Sequence, residues 1–505
     1  MFDFGLGLMA NINRIIREGG KDYLTEREFM QREINHFIHS PERRMMLAGE
    51  NYFLGDQDIR MKQRTAIGED GQLHPVHNLP NSRLEDNQYR KMVLQKANYL
   101  TGKPVSMQSD DKTFLDALKT IFNAGWDRKL RSLTETALNE GIAWVFPTYA
   151  ADGHFTFRVF PGYEICPGWS DSEHEVLEYA YRVYPVRLYE GKTVEKMIWK
   201  VELYTAAGID YFETDGYGTE LIPCEPWHQD YMLITDEDGH EEGYNWSRIP
   251  LVPFRANRYE TPLIKGAKSL QDAINTILSN FSDSMQEDTR NTILVLVNYD
   301  GENLGSFRQN LATYGAVKVA SVDGVQGDVK TLQVAVNAEN YKAILEILKK
   351  AIIENCMGYD AKDDRMSGTP NEMNIQSMYN DIDMDANSME TEFQASLEQL
   401  LWFVKAHLAN SGMGSFDDSK ASFTFNRSMM MNQSEQINNA RNSAGIISDE
   451  TIMAHHPWVT DVDEEMERLK KQKEENLEQY GFGAGNPFDK QEDPQEDDVD
   501  EDEEQ

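Results

Sequence analysis

The stretch from Leu263 to Asp288, LIKGAKSLQDAINTILSNFSDSMQED, decides how the chain is to be read. Leu270, Ala273, Ile274, Ile277, Leu278, Phe281 and Met285 recur at i, i+3, i+4, i+7, i+8, i+11 and i+15, the period of one helical face. At ~1.5 Å per residue this predicts a helix of about 39 Å. Downstream lies a small β-containing insert: a buried-strand run at Ile293 to Val297, a short helix at Ser306 to Tyr314 ended by Gly315, and strand-like alternation at Ala316 to Val322 and Leu332 to Val336. A second amphipathic helix follows at about Ala338 to Cys356, with Tyr341, Ile344, Leu345, Leu348 and Ile352 on one face. After the polar loop Gly358 to Asn374 comes a third helix, Ile375 to Asn410, whose stripe is Met378, Tyr379, Ile382, Ala386, Met389, Phe393, Leu397, Leu400, Leu401 and Val404. It would span about 54 Å, longer than an ordinary globular helix.

Working outward, residues 1 to 135 read as mostly helical, with Tyr89 to Leu100 stopped by Thr101-Gly102-Lys103-Pro104, and Thr113 to Phe122 continuing the pattern. From about Gly141 to Arg258 short β runs dominate: Ala143 to Tyr149, Phe155 to Phe160, Tyr179 to Val186 and Ile198 to Tyr204, with Asp152-Gly153 as a turn. The texture is α+β, not alternating βαβ. Beyond Asn410, Asn432 to Ala444, Ser448 to His455 and Asp463 to Tyr480 read as short or solvated helices.

Composition bounds the function. The 505 residues carry 49 basic and 86 acidic side chains, a net charge of −37, which excludes tight passive nucleic-acid binding by a basic surface. With 40% apolar and 10% aromatic residues the chain can bury cores, and its length suggests about three domains. Asp489 to Glu504 holds eleven acids against Lys490, so the acidic tail, 481–505, is expected to be disordered. The rest still carries a net −27, so the folded body is acidic in its own right. No apolar run approaches the ~20 residues of a membrane span. Met1 to Ala10 lacks a basic lead and a cleavage site, so no signal peptide is expected. Cys166, Cys224 and Cys356 form neither a disulfide framework nor a CxxC site, which fits a reducing cytoplasm.

Chemistry-bearing patterns are weak. His455 and His456 are adjacent and point apart on a helix, with no third ligand at metal spacing. Asp381, Asp383 and Asp385 alternate in a helical context, so they splay over a solvated helix face. The loop DAKDDRMSGTPNE misses calcium-loop spacing, and no Walker, GxGxxG, GxSxG or Cys/His nucleophile pattern occurs. The 23 methionines read as core filler more than as a recognition surface, and Met429-Met430-Met431 beside Ser428 fits either. No enzyme and no cofactor are expected.

Three segments together carry a resemblance: Asn98-Tyr-Leu-Thr-Gly-Lys-Pro-Val105 after an amphipathic helix; Glu140-Gly-Ile-Ala-Trp-Val-Phe with Asp152-Gly and Phe155 to Pro167; and Ser269-Leu-Gln-Asp-Ala-Ile-Asn through Asn280-Phe-Ser-Asp-Ser to Asn291-Thr-Ile-Leu-Val-Leu. In this order, over about residues 25 to 480, the chain resembles the portal proteins of tailed double-stranded DNA bacteriophages, siphophage branch. The resemblance implies a ring, usually of twelve copies and of thirteen in a recombinant variant, set at one capsid vertex of the virion and made in the host bacterial cytoplasm. Double-stranded DNA would pass through it non-specifically during packaging and ejection. Its implied partners are the terminase large subunit, a head-completion or adaptor protein, and the major capsid and scaffolding proteins, with no membrane. The implied parts are an N-terminal segment 1–25, a wing 26–262, stem helices 263–288 and 338–357 around a small α/β clip 289–337, a tunnel loop 358–374, a long wing-to-crown helix 375–410 and a helical crown 411–480.

An acidic body suits a conduit, because each tight phosphate contact would hold passing DNA. Lys342, Lys349 and Lys350 in the stem, and Lys362 and Arg365 in the loop, offer transient phosphate contacts, tempered in the loop by Asp360, Asp363 and Asp364. Phe307, Arg308 and Leu311 mark the clip helix, and the clip would join its neighbours by strand addition or edge contact. The alternatives are a scaffold or adaptor without a conduit, which would need sustained heptads that the three helices lack, and a metal-dependent nuclease, which cation-dependent DNA degradation would reveal.

Overall fold

The computed structural model describes residues 26–67, 71–76, 79–150, 152–190, 194–214, 220–235, 241–288, 293–297, 328–332, 338–360, 372–427, 437, 440–454, 456, 458–459 and 462–479. The chain divides into two units, at residues 1–429 and 430–505.

The first unit is a mixture of helices and antiparallel sheets. It opens with α1 (Glu26–His39) and α2 (Pro41–Leu54), then the strand pair β1 (Thr65–Ile67) and β2 (Leu73–Pro75). Three helices follow: α3 (Gln88–Thr101), α4 (Lys112–Ile121) and α5 (Ala124–Glu140), with β3 (Ser106–Gln108) between α3 and α4. Each starts on a side chain that satisfies orphan helix donors. Asn87 accepts from the Arg90 amide at 2.9 Å, Asp111 from Thr113 and Phe114 at 3.0 and 3.1 Å, and Asn123 from Gly125 at 2.8 Å. Helix α5 stops at Gly141, whose φ of 85° suits glycine and whose missing Cβ would meet the Glu260 carbonyl oxygen at 2.1 Å.

Next come β4 (Ile142–Tyr149), β5 (Phe155–Pro161), β6 (Ile165–Trp169), β7 (Leu177–Glu190), β8 (Val194–Thr205), β9 (Gly208–Thr214), β10 (Ile222–Gln229), β11 (Met232–Thr235), β12 (Glu241–Tyr244) and β13 (Val252–Arg255). They form a three-stranded sheet ordered β13-β4-β5, a five-stranded sheet ordered β10-β9-β8-β7-β6 and the hairpin β11-β12. Strand β4 is an unbroken apolar run because both its faces are covered. Ala143 and Val145 enter the main core with α3, α4 and α5, while Ile142, Trp144 and Phe146 pack with Phe160, Trp169, Ala180 and Tyr204 between the two sheets. The far face of the five-stranded sheet, Tyr179, Tyr181, Val183, Val201 and Phe212, takes Met30 and Ile34 of α1.

The helices foreseen from the sequence follow: α6 (Ile264–Asp288), α7 (Ala338–Asn355) and α8 (Glu372–Asn410). Between α6 and α7, β14 (Ile293–Val297) pairs antiparallel with β15 (Asp328–Leu332). The described part of the second strand starts at Asp328, ahead of the expected Leu332, which pairs with Ile293; the rest of the expected run, 333–336, lies outside the described residues. The expected elements at Ser306 to Tyr314 and Ala316 to Val322 lie outside the described residues, as do the N-terminal segment and the acidic tail. Helix α8 begins at Glu372, ahead of the expected Ile375, and all ten stripe residues named above are buried.

After α8, β16 (Ser422–Thr424) pairs with β3, and Phe416 stacks on Phe114 at 5.0 Å. Residues 411–427 thus fold into the first unit. In the second unit residues 440–443 are helical, and α9 (Asp449–Ala454) packs on α10 (Val462–Gln479). His456 meets Trp458 edge-on at 5.6 Å, and His455 lies outside the described residues. Among the described residues no helix is long and apolar enough to cross a membrane.

Candidate functional site

Helices α6 and α7 lie side by side, with the Phe281 and Tyr341 rings 4.8 Å apart and Leu278, Leu345 and Leu348 half-buried against the main core. The apolar stripe on α6 nevertheless is not its most buried face. Gln271, Asn275 and Ser279 are 0% exposed and Asp283 2%. These four residues recur every fourth position and face the extended segment Ser82 to Asn87 and the first residue of α3, Gln88; the segment belongs to no sheet and must satisfy its amides elsewhere.

Four rungs do so. The Gln88 amide donates to Gln271 Oε1 at 3.0 Å, Asp86 to Asn275 Oδ1 at 3.0 Å, Leu84 to Ser279 Oγ at 2.9 Å and Ser82 to Asp283 Oδ1 at 2.6 Å. Alternate residues of an extended chain are ~6.6 Å apart and every fourth residue of a helix ~6 Å, so the two repeats stay in step over four rungs. Gln271 Nε2 also donates to the Asp86 carbonyl at 2.8 Å. Lys62 Nζ adds an ion pair to Asp283 at 2.9 Å. Burial alone would raise the Asp283 carboxyl; hydrogen bonds from Ser82 and Lys62 outweigh it and hold the group below the ordinary aspartate range. Nearer the start of α6, Lys268 reaches Asp58 at 2.5 Å, Tyr52 Oη at 2.8 Å and Asp272 at 2.9 Å. Burial lowers that ammonium's pKa and these bonds more than restore it, leaving it above the usual lysine value. Hydrophobic periodicity misses this face; the signal that finds it is a run of hydrogen-bonding side chains at a strict spacing of four.

The residues singled out from sequence fall in different settings. Lys342 is 79% exposed and 3.9 Å from Glu346, and Lys350 is exposed. Lys349 is engaged: its ammonium lies 2.6 Å from Asp86, so α7 is tied to the same extended segment as α6. Of the loop residues, Asp360 is half-buried, and Lys362, Asp363, Asp364 and Arg365 lie outside the described residues, as do Phe307, Arg308 and Leu311. The entrance to the loop is pinned: Tyr359 exchanges hydrogen bonds with Gln95 at 2.9 and 3.1 Å, and its ring lies 4.5 Å from Tyr379. Of the three α8 aspartates, Asp381 is exposed as expected, while Asp383 and Asp385 correct the expectation of a solvated face. Asp385 pairs with buried Lys96 at 2.5 Å, and Asp383 accepts from Tyr99 at 3.0 Å and from Arg427, so these carboxylates fasten α8 to α3 and to the chain after β16.

A cleft of 2040 Å³ opens beside β13, lined from α2, the β6–β7 connection, residues 247–262 and α8. On its lining, Glu260 Oε1 lies 2.9 Å from both Arg255 Nε and His174 Nδ1, while Arg255 Nη2 donates to the His174 carbonyl at 2.5 Å and Trp169 stacks on the His174 ring at 5.0 Å. Burial pushes the Glu260 carboxyl up, but His174 and Arg255 outweigh it and hold it below its ordinary value. His174 and Glu260 adopt left-handed φ of 60° and 53°, a strain that these mutual contacts hold in place.

Comparison with known proteins identifies the whole arrangement. The family described as phage portal protein, SPP1 Gp6-like, matches residues 36–479. The portal protein of Bacillus phage SPP1 is 29% identical over 495 residues, 97% of this chain and 94% of that protein. The portal protein of Clostridium phage phiCD119 is 27% identical over 438 residues, 85% of this chain and 92% of that one. A solved chain titled "Neck of native GTA particle computed with C12 symmetry" aligns with 73% of this chain and 89% of its own at 10% identity and a TM-score of 0.40, too loose a likeness to argue from. The family match spans the helix, insert, helix, loop, long helix order and both sheets, and the chain therefore belongs to the SPP1 Gp6-like family of phage portal proteins, head–tail connector proteins of bacteriophage virions.

Proposed function

We propose that the chain closes into a ring of twelve copies, or thirteen in a recombinant variant, at one vertex of the capsid, and serves as the conduit through which double-stranded DNA is packaged and later ejected. The observation that carries this reading is the family match over residues 36–479, supported by relatives aligned along almost their whole length. In this reading the chain performs no catalysis and needs no cofactor. It docks the terminase large subunit during packaging and a head-completion or adaptor protein afterwards, and it meets the major capsid and scaffolding proteins. Residues 26–262 act as the wing, α6 and α7 as the stem, 289–337 as the clip, 358–374 as the tunnel loop and α8 as the helix from wing to crown. The integration of residues 411–427 into the first unit favours a crown that begins near 430 instead of 411.

A net charge of −37 supports a passage that does not hold DNA, and exposed Lys342 and Lys350 are the described stem cations best placed for brief phosphate contact. Lys349 is already neutralised by Asp86 and contributes less. Negative-stain electron microscopy of the purified chain should show annular particles with a central channel; a population that stays monomeric or dimeric at all salt and protein concentrations refutes the ring. Replacing Lys362 and Arg365 with alanine should leave ring mass intact and change the efficiency of packaging, or the retention of DNA, in an in vitro packaging assay.

A further inference from the structure

The five-stranded sheet ends at β10, and the face of this edge strand turned away from α1 carries uncovered apolar side chains. Phe212 of β9 packs in one cluster with Met30 and Ile34 of α1, and Pro223 stands opposite Phe212 in the ladder. Ile222, one residue back and opposite Glu213, therefore points to the other face, as does Cys224. Gln229 stands opposite Ile209, which lies between the two sheets, so Trp227, two residues back, shares that face. Ile222 is 53% exposed and Trp227 57%. Pro223 and Pro226 leave the edge short of amide donors, so what covers it docks by side chains and not by adding a strand.

The setting is of one sign. From Val201 to Ser247 there are twelve acidic residues and no lysine or arginine. Lys200 is engaged by Glu213 at 2.9 Å and His228 by Asp210 at 2.6 Å, while exposed Arg158 of β5 lies towards Tyr211. Among the described residues no cation pairs with exposed Glu220 or Glu225, which flank Ile222 in the chain. An acidic, apolar surface repels DNA and the bulk of a second chain of charge −37 alike, and fits a segment that is both apolar and basic.

The sequence before α1 supplies one. Phe4 to Arg17 contains Arg14 and Arg17 and no acid, and Leu8, Ile12, Ile15 and Ile16 recur at i, i+4, i+7 and i+8, the spacing of one helical face. Its tether ends in the right place. Helix α1 starts at Glu26, and Met30 shares its cluster with Leu221, the residue before Ile222. The nine residues from Arg17 to Glu26 reach up to about 30 Å when extended, whereas rounding a single edge strand takes about 5–10 Å.

We propose that residues 4–17 of each copy seat on the open face of that copy's own β10, Ile12 and Ile16 covering Ile222 and Trp227 while Arg14 and Arg17 face Glu220 and Glu225. This docking does not depend on the ring reading.

Cys224, between Ile222 and Trp227, is the reporter in the full-length chain, with circular dichroism confirming that each variant folds. With Ile16→Cys, air oxidation over copper–phenanthroline should link the introduced thiol to Cys224 within one chain, about tenfold faster than with Glu18→Cys, which falls on the opposite side of the helical repeat. Adding Cys224→Ser should abolish that link. Alkylation of Cys224 by N-ethylmaleimide should speed up severalfold when Arg14→Glu and Arg17→Glu are introduced, and return towards the unaltered rate when Glu220→Lys and Glu225→Lys are added. Equal linking from Glu18→Cys, a Cys224 alkylation rate untouched by the arginine reversal, or no rescue by the second pair would overturn the docking. Links found only between chains would overturn it as well, by assigning the face to a neighbouring copy's segment.

Discussion

Helices α6 and α8 are both long, both amphipathic and both fastened to the N-terminal helices, yet they are held by different physics. Helix α8 buries an apolar stripe, with Phe393 edge-on to Phe254 at 5.1 Å and Leu397, Leu400 and Val404 essentially inaccessible. Helix α6 buries Gln271, Asn275, Ser279 and Asp283 and grips a strand that has no sheet. Apolar burial is tolerant of direction, whereas a hydrogen-bond ladder specifies register, since a slip by one residue would leave the buried acceptors on α6 unpaired. The first arrangement gives stability and the second gives position.

The sharpest way to break the contrast is to hollow out each face. Phe393→Ala should cost about 3–5 kcal/mol in denaturant unfolding of the first unit, because it leaves a cavity where two aromatic partners met. Met384→Ala, on an exposed face of the same helix, should stay within about 0.5 kcal/mol. On α6, Ser279→Ala removes almost no volume yet strands the Leu84 amide; it should cost about 1–3 kcal/mol, with faster hydrogen exchange at Leu84. If Ser279→Ala proves as silent as Met384→Ala, the ladder is decorative and α6 is held by its apolar side alone.

Acidity separates the two helices further. The Asp283 carboxyl has a lower pKa folded than unfolded, so its contribution is complete above the unfolded value of ~3.9 and is lost as pH falls from there through the folded value. Asp283→Asn should therefore be less stable than the unaltered chain near neutrality, and the gap should close in acid, while Phe393→Ala shows the same deficit at every pH. The smallest effects belong to α7. Lys349→Ala should cost about 0.2–1 kcal/mol through loss of the Asp86 pair, and Lys342→Ala or Lys350→Ala should be indistinguishable from the unaltered chain in melting experiments.

These helices also show what could be read in advance. The ten-residue stripe of α8 was legible because burial there follows hydropathy, and β4, β5, β7 and β8 were legible for the same reason, down to the unbroken run of β4 that is covered on two faces, whereas β6, β9, β10 and β13 were not. The α6 ladder was not, since Gln, Asn, Ser and Asp count as solvent-facing until a partner strand is known. Asp383 and Asp385 were misread as solvated for a related reason: Lys96 and Arg427, which neutralise them, are far away in sequence and one of them follows α8 altogether. The start of β15, at Asp328 ahead of the expected Leu332, was missed because short alternating runs fit more than one register until the partner, Ile293 to Val297, is aligned with it.

The antiparallel run of Ser82 to Gln88 along α6 also has a mechanical meaning. A pull directed along the helix loads all four rungs at once, in shear, so none can fail before its neighbours share the force. A pull directed away from the helix opens them in sequence, like a zipper, beginning at whichever end is lifted. With Lys349 tying α7 to Asp86 in the middle of the same stretch, tension on either helix is delivered to these seven residues, which makes the joint stiff along one axis and compliant across it.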